Sequence, residues 1–447
     1  MKRYLFSLMV AGLVFTGPGL AQQPVSGLDK AQIRFSDIEP HLERVKQSDR
    51  FTTIQVGTSY LGTPIYRIST GTGPVKVMMW SQMHGDEPTA TPALFDLISH
   101  IEQHPDWHRS WADKISLHMI PMLNPDGAEM AQRFNAQGID VNRDAKVLQT
   151  PEGRTLMEQA KTIEPDIGFN LHDQSRYYEV GHTGKTATIS LLAPAFNVAK
   201  DINDKRRRAM QLIGVLKEVG DKMIPGHMGR YDDTYAHRAF GDTLASMGIS
   251  TILIESGAYK GDPNRQVARE VNVAMLIRGL NSIASGDYQQ QTLDPYNAIP
   301  MNNSNSFKDL IVRNLTVEDG EHEYRLDIGI NIGKQGAYVN EVGDLSVFPA
   351  FNEIDASDYQ YQAGKAFKLE ETLVLTEQRY RELLGQGYTH FEGDAERLDN
   401  QSQWPVVINP SRVPEARPQR QQDGLFLLTH DGNVTSAVIN GQWLSLN

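Results

Sequence analysis

At 447 residues the chain is long enough to bury a substantial core, and its length predicts two or three domains. Its 43 Lys and Arg against 55 Asp and Glu give a net charge of −12, which argues against nucleic acid or anionic lipid as the main partner. With no cysteine there is no disulfide and no thiolate ligand, so any transition metal must sit on histidines and carboxylates.

The N-terminal run MKRYLFSLMVAGLVFTGPGLAQQ has Lys2 and Arg3 ahead of an apolar stretch and a Gly19-Leu20-Ala21 exit. That pattern predicts a signal peptide over residues 1–21 and export to the periplasm or beyond, because the apolar run is too short for a membrane span. No later stretch is apolar enough to cross a membrane. Residues 22–74 lead into an α/β catalytic domain at 75–286, where short β-branched runs alternate with longer helix-compatible ones.

Four of the apolar runs end on chemically informative residues. Val75–Trp80 leads to His84, Ile115–Ile120 to Asn124, Ile167–Leu171 to His172, and Ile249–Ile254 to Glu255. In open α/β sheets ligands bind outside the carboxyl ends of strands, so these four ends mark one expected site. Between them lie expected helices at Pro88–Ile101, Gly153–Ile163, Val198–Val219 and Asn264–Ile283. The basic cluster Lys205–Arg208 is read as the solvated face of a helix. Residues 287–307 are polar and without periodicity, which predicts a linker, and 308–447 read as a β-rich accessory domain. Asp431-Gly432 and Asn440-Gly441 are hairpin turn signals near its end, and 409–423 is a Pro, Arg and Gln stretch expected as a long exposed loop.

The chemistry concentrates in a few positions. His84-Gly85-Asp86-Glu87 puts an imidazole and a carboxylate three residues apart at a strand end, and His172 offers a third ligand of a type that zinc accepts. A catalytic zinc with three protein ligands needs a base for its water, and Glu255 is placed for that role. Asn124-Pro125-Asp126-Gly127 reads as a turn, followed by Arg133 and then by Gly138-Ile139-Asp140-Val141-Asn142-Arg143. An adjacent Asn and Arg suit a peptide's terminal carboxylate.

Taken together, the order HxxE, NPDG, Arg, GxDxNR, His and a strand-end Glu resembles the zinc metallocarboxypeptidases over about residues 75–286. The resemblance implies a mixed, mostly parallel α/β sheet flanked by helices, one Zn2+ per chain, and a peptide substrate with a free C-terminal carboxylate. It implies that His84, Glu87 and His172 are the metal ligands and that Glu255 is the catalytic base. Arg133 would polarise the scissile carbonyl, Asn142 and Arg143 would bind the terminal carboxylate, and Asp140 would orient a ligand histidine. A tyrosine closing over substrate falls on Tyr231 or Tyr235, with Tyr231 on the more loop-like segment.

The pattern departs from digestive members of the family at Asp144-Ala145 and at Asp173-Gln174. Gly241, near the position that sets side-chain preference, predicts no charge selectivity. The expected function is a zinc-dependent metallocarboxypeptidase, with cell-wall peptides among its candidate substrates. The alternatives are a zinc amidase or deacylase acting on small N-acyl amino acids, and a non-catalytic binding protein that keeps the fold.

Overall fold

A computed structural model describes residues 24–320 and 322–446, so the expected signal peptide at 1–21 lies outside the described residues. The chain divides into two compact units, one holding the described residues through Gln174 together with Ala187–Asn302, the other holding Ser175–Thr186 and the chain from Asn303 onward.

Unit 1 is built on an eight-stranded mixed sheet. Its strands in chain order are β1 (Thr52–Thr58), β2 (Pro64–Thr70), β3 (Val75–Ser81), β4 (Ile115–Ile120), β5 (Ile167–Asp173), β7 (Ile189–Leu192), β8 (Met228–Arg230) and β9 (Ser250–Ser256), while β6 (Glu179–Val180) belongs to unit 2. The spatial order is β1-β2-β4-β3-β5-β9-β7-β8. The four central strands β4, β3, β5 and β9 run parallel. The antiparallel partners β2 and β7 flank them.

Parallel strands buried on both faces should be largely apolar, and Val77–Trp80 of β3 show this. Val77 and Met79 join one core cluster, with helices α1 (Phe35–Lys46), α2 (Ala90–Gln103), α6 (Asp204–Met223) and α8 (Gln266–Ser285). Met78 and Trp80 join the opposite cluster, with α5 (Pro151–Ile163) and α7 (Phe240–Ser246). Helices on both faces therefore leave the carboxyl ends of the central strands as the open edge of the sheet. Two short helices, α3 (Pro105–Arg109) and α4 (Pro125–Glu129), sit in the loops that follow α2 and β4.

Two expectations change here. The segment expected as a linker at 287–307 folds through residue 302 with unit 1, because Tyr288, Tyr296 and Ile299 are buried in its main core and Gln211 of α6 donates to the carbonyls of Gln289 and Gln291. In the basic cluster, Arg206 is buried and donates to the Ala193 and Lys200 carbonyls and to Asp233, so this part of the run is an internal clamp. Apolar neighbours at Ala209, Met210 and Leu212 turn that face of α6 inward.

Unit 2 carries an eight-stranded sheet in which Lys308–Glu318 pairs antiparallel with Glu323–Gly333 and parallel with Ala350–Asp355. Its last three strands, Phe426–His430, Asn433–Ile439 and Gln442–Ser445, are joined at Asp431-Gly432 and Asn440-Gly441, and all four turn residues have positive φ. Two consecutive positive φ values define the tight hairpin turn that Asp-Gly and Asn-Gly favour. Residues 175–186 join this unit through Tyr177, whose hydroxyl donates to Asp309 at 2.6 Å. No helix among the described residues is long and apolar enough to cross a membrane.

One polar tie inside unit 1 is the buried pair Arg269 and Asp96, which joins α8 to α2 through bonds of 2.6 and 2.8 Å. The same guanidinium also donates to the carbonyls of Leu28 and Val25. Removing one partner of such a pair strands a buried charge. Asp96→Ala is expected to destabilise unit 1 by about 3–5 kcal/mol, read as a lower denaturation midpoint in urea.

Candidate metal centre

The loop after β3 is shaped before any chemistry is considered. Gln82 has φ of 50° and its side-chain amide donates to the carbonyls of Ile33 and Gly85, tightening the turn that carries His84. Any side chain at Gly85 would collide with the Gly127 backbone, so this loop lies directly on the NPDG turn. Asn124 ties the two together, accepting from the Gly127 N–H at 2.9 Å and donating to the Met83 carbonyl at 3.1 Å. The NPDG segment therefore fixes the backbone beneath the metal-type residues.

His84, Glu87 and His172 converge there, with ligand-type atoms all within 4.8 Å of one another. Each imidazole turns Nδ1 toward a different oxygen of Glu87, at 2.7 Å in both cases. Nε2 of His84 lies 3.1 Å from Asp140 Oδ1. A carboxylate on the second ring nitrogen fixes the proton there and leaves Nδ1 free to bind a cation, so the donor set fits zinc. His172 Nε2 is buried without a partner among the described residues, which leaves Nδ1 as the nitrogen that meets the shared centre.

The electrostatics follow from packing one carboxylate among two histidines and an arginine. Burial disfavours a charged His84, but the Glu87 carboxylate and the Asp140 bond outweigh it and raise its pKa to about 9. Burial alone would raise Glu87, yet the two histidines hold its carboxyl well below the usual range. Glu255 moves the other way: burial and then the nearby Glu87 charge push its carboxyl well above the ordinary value. It stands opposite His172 in the β5–β9 register, on the strand end where the apolar run predicted it.

Arg133 reaches the same group, with Nη1 3.2 Å from Glu87 Oε1 and Nε 3.0 Å from Asp140 Oδ2. Asp140 begins a single 3-10 turn, Val141–Arg143, and accepts from the Asn142 N–H at 2.9 Å. Asn142 accepts from the Phe240 N–H at the start of α7, while the exposed Arg143 donates to the carbonyl of Asn142. Tyr231 follows β8 directly, its N–H bonded to the Leu191 carbonyl, and both it and Tyr235 are half-buried on an irregular segment. At Gly241 a side chain would meet Asn170 and Pro194. The adjacent Asp242 is a carboxyl that burial raises to about 6.

One supporting residue escaped the sequence analysis. Asp173, next to His172, is buried and accepts from the N–H and hydroxyl of Thr89 at the start of α2, with Arg265 at 3.1 Å. Burial raises it to about 6 against the pull of Arg265. Its position directly after a ligand-type histidine was the available signal, but nothing in the sequence distinguishes a buried aspartate from a solvated one.

A family model described as zinc carboxypeptidase matches residues 38–163. The chain is 24% identical over 302 residues to a probable carboxypeptidase 2 of Arthroderma benhamiae, covering 62% of this chain and 54% of that protein. A probable carboxypeptidase 2 of Trichophyton verrucosum is 25% identical over 302 residues, covering 62% and 55%. The chain thus spans about half the length of these relatives. Among solved structures, a metallo-carboxypeptidase from Burkholderia cenocepacia superposes with a TM-score of 0.47 at 16% identity, covering 57% of this chain and 70% of that one.

Chelator-stripped protein is expected to take up one zinc per chain in a metal titration followed by elemental analysis. His172→Ala should lose the metal on dialysis, and Asp140→Asn should weaken binding by about 10–100-fold while leaving all three ligands in place.

Proposed function

We propose that the chain, which is similar to the zinc carboxypeptidase family model over residues 38–163, is a metallocarboxypeptidase that hydrolyses the C-terminal amide bond of peptides. The observation that carries this reading is the convergence of His84, Glu87 and His172 within 4.8 Å, with Glu255 beside them on the neighbouring strand. Those three side chains would hold a zinc ion, which would supply Lewis-acid chemistry there.

The remaining work falls to the chain's own groups. Glu255 takes the proton from the attacking water and passes it to the leaving nitrogen. Arg133 is partly exposed and already oriented by Glu87 and Asp140, so its fork can face a carbonyl oxygen as negative charge develops there. Asn142 and Arg143 hold the substrate's terminal carboxylate, Arg143 being exposed and steadied by the bond it donates to the Asn142 carbonyl. Tyr231 closes over the bound peptide from the segment after β8. Export directed by residues 1–21 would bring the protein to peptides outside the cytoplasm.

The test is a peptide mixture and its C-terminally amidated copies incubated with the zinc-loaded mature protein, with products followed by mass spectrometry. Single residues are expected from the free acids only, and internal cleavage or equal cutting of the amides would remove the assignment of Asn142 and Arg143. Glu255→Gln should retain zinc and lower kcat by about 100- to 10,000-fold. Activity on N-acyl amino acids with none on peptides would move the chain to the amidase reading.

A further inference from the structure

Arg265 holds a backbone conformation that its side chain makes unfavourable. It immediately precedes α8 with φ of 55° and ψ of 33°, the left-handed region that glycine enters freely and other residues rarely occupy. Capping of the helix does not require an arginine there. The Asp262 carboxylate accepts from the Gln266 and Val267 N–H groups at 2.9 and 2.7 Å, so the first turn of α8 is satisfied without it. What arginine adds over glycine at this position is its side chain.

That side chain turns back from α8 onto the ends of two neighbouring strands. Its Nη1 donates to the Ser256 carbonyl at 2.8 Å and lies 3.1 Å from the Asp173 carboxylate, while Nη2 donates to the Gln174 carbonyl at 3.1 Å. In the β5–β9 register His172 stands opposite Glu255 and Asp173 opposite Ser256. The same junction is closed by the Gln174 N–H, which donates to the Ser256 carbonyl at 2.9 Å, and by Asn272 of α8, which donates to the Ser256 hydroxyl at 2.9 Å. One planar guanidinium thus bridges both strands directly beyond His172 and Glu255.

We propose that Arg265 is a positioning residue that fixes where the Glu255 carboxylate stands relative to His84, Glu87 and His172. The inference rests on the peptidase reading above. The two strand ends depend on the clamp unequally. His172 is also held by Glu87 at 2.7 Å, whereas Glu255 has no side-chain hydrogen bond among the described residues. Glu255 therefore takes its place from the β9 backbone alone, and loosening the end of β9 moves the base while the ligand set keeps its own ties. A shift of about 1 Å in a reacting group is enough to lower a rate about 100-fold.

The test compares Arg265→Ala with Arg265→Gly in the zinc-loaded full chain. Both lack the guanidinium, but only alanine keeps the strained backbone, so the pair separates position from stability. Each is expected to bind one zinc per chain, to keep the wild-type KM for a peptide with a free C-terminal carboxylate, and to lose kcat about 10- to 100-fold. The glycine variant should nevertheless melt above the alanine variant. Arg265→Lys, which keeps the charge without the planar fork, should recover part of the lost kcat. Independently of turnover, hydrogen exchange followed by mass spectrometry should quicken in both variants in the peptide that contains the Gln174 N–H. A kcat that recovers in Arg265→Gly in step with its melting temperature makes the residue merely structural and overturns the proposal. Loss of zinc, a raised KM with kcat unchanged, or wild-type kcat in both variants overturns it as well, and each leaves the peptidase reading standing. A zinc-loaded wild type that turns over no peptide overturns that reading and this inference with it.

Discussion

One carboxylate sets the terms for the rest of unit 1. Glu87 is met by His84 and His172 at 2.7 Å each, by Arg133 at 3.2 Å and by the Asp173 N–H at 3.2 Å. These partners come from the loop after β3, the end of β5 and the segment after α4. A largely buried carboxylate needs such compensation, so the three stretches of chain must arrive together for any one of them to be stable there. The parallel core makes this possible, because β3, β5 and β9 all end on the same edge of the sheet and their helices cover both faces.

Most of this edge was legible in the sequence for a simple reason. A strand buried on both faces is a largely apolar run, so the chemically informative polar residues that follow it mark the strand's end and the edge of the sheet. His84, His172 and Glu255 each follow such a run, and the structure brings all three to one edge of the sheet. Helix positions were legible from periodicity, with α8 at Gln266–Ser285 against an expected Asn264–Ile283. The boundary near 287–307 was not, because Tyr288, Tyr296 and Ile299 are too sparse to show a period yet large enough to anchor the segment in the core. Arg206 was misread for the opposite reason: basic neighbours on both sides, Lys205 before it and Arg207 and Arg208 after it, mask the one that is buried.

The second unit shows another limit. Chain order gives no sign that residues 175–186 leave the catalytic sheet, only two residues after Asp173 ends β5. Within unit 2 they are held by Asp309, which accepts from Tyr177 and pairs with Arg176 at 3.0 Å, while the Arg176 guanidinium lies over the Phe351 ring. Every one of these contacts joins residues more than a hundred positions apart or rests on a ring face, so no local pattern carries it.

Carboxylates were the hardest residues to assign, and they divide by what surrounds them. Asp126 and Glu152 are buried and occupied by hydroxyls, amides and backbone N–H groups, so they position loops. Glu87 is compensated by nitrogen donors that can themselves bind a metal, which converts a structural anchor into a ligand set. Glu255 has no side-chain hydrogen bond among the described residues, and its charge is opposed both by burial and by Glu87. The same side-chain chemistry thus yields a scaffold where donors are backbone and hydroxyl, and a group suited to hold a metal where they are imidazole. The motif names the positions, but the donors around each carboxylate decide its role.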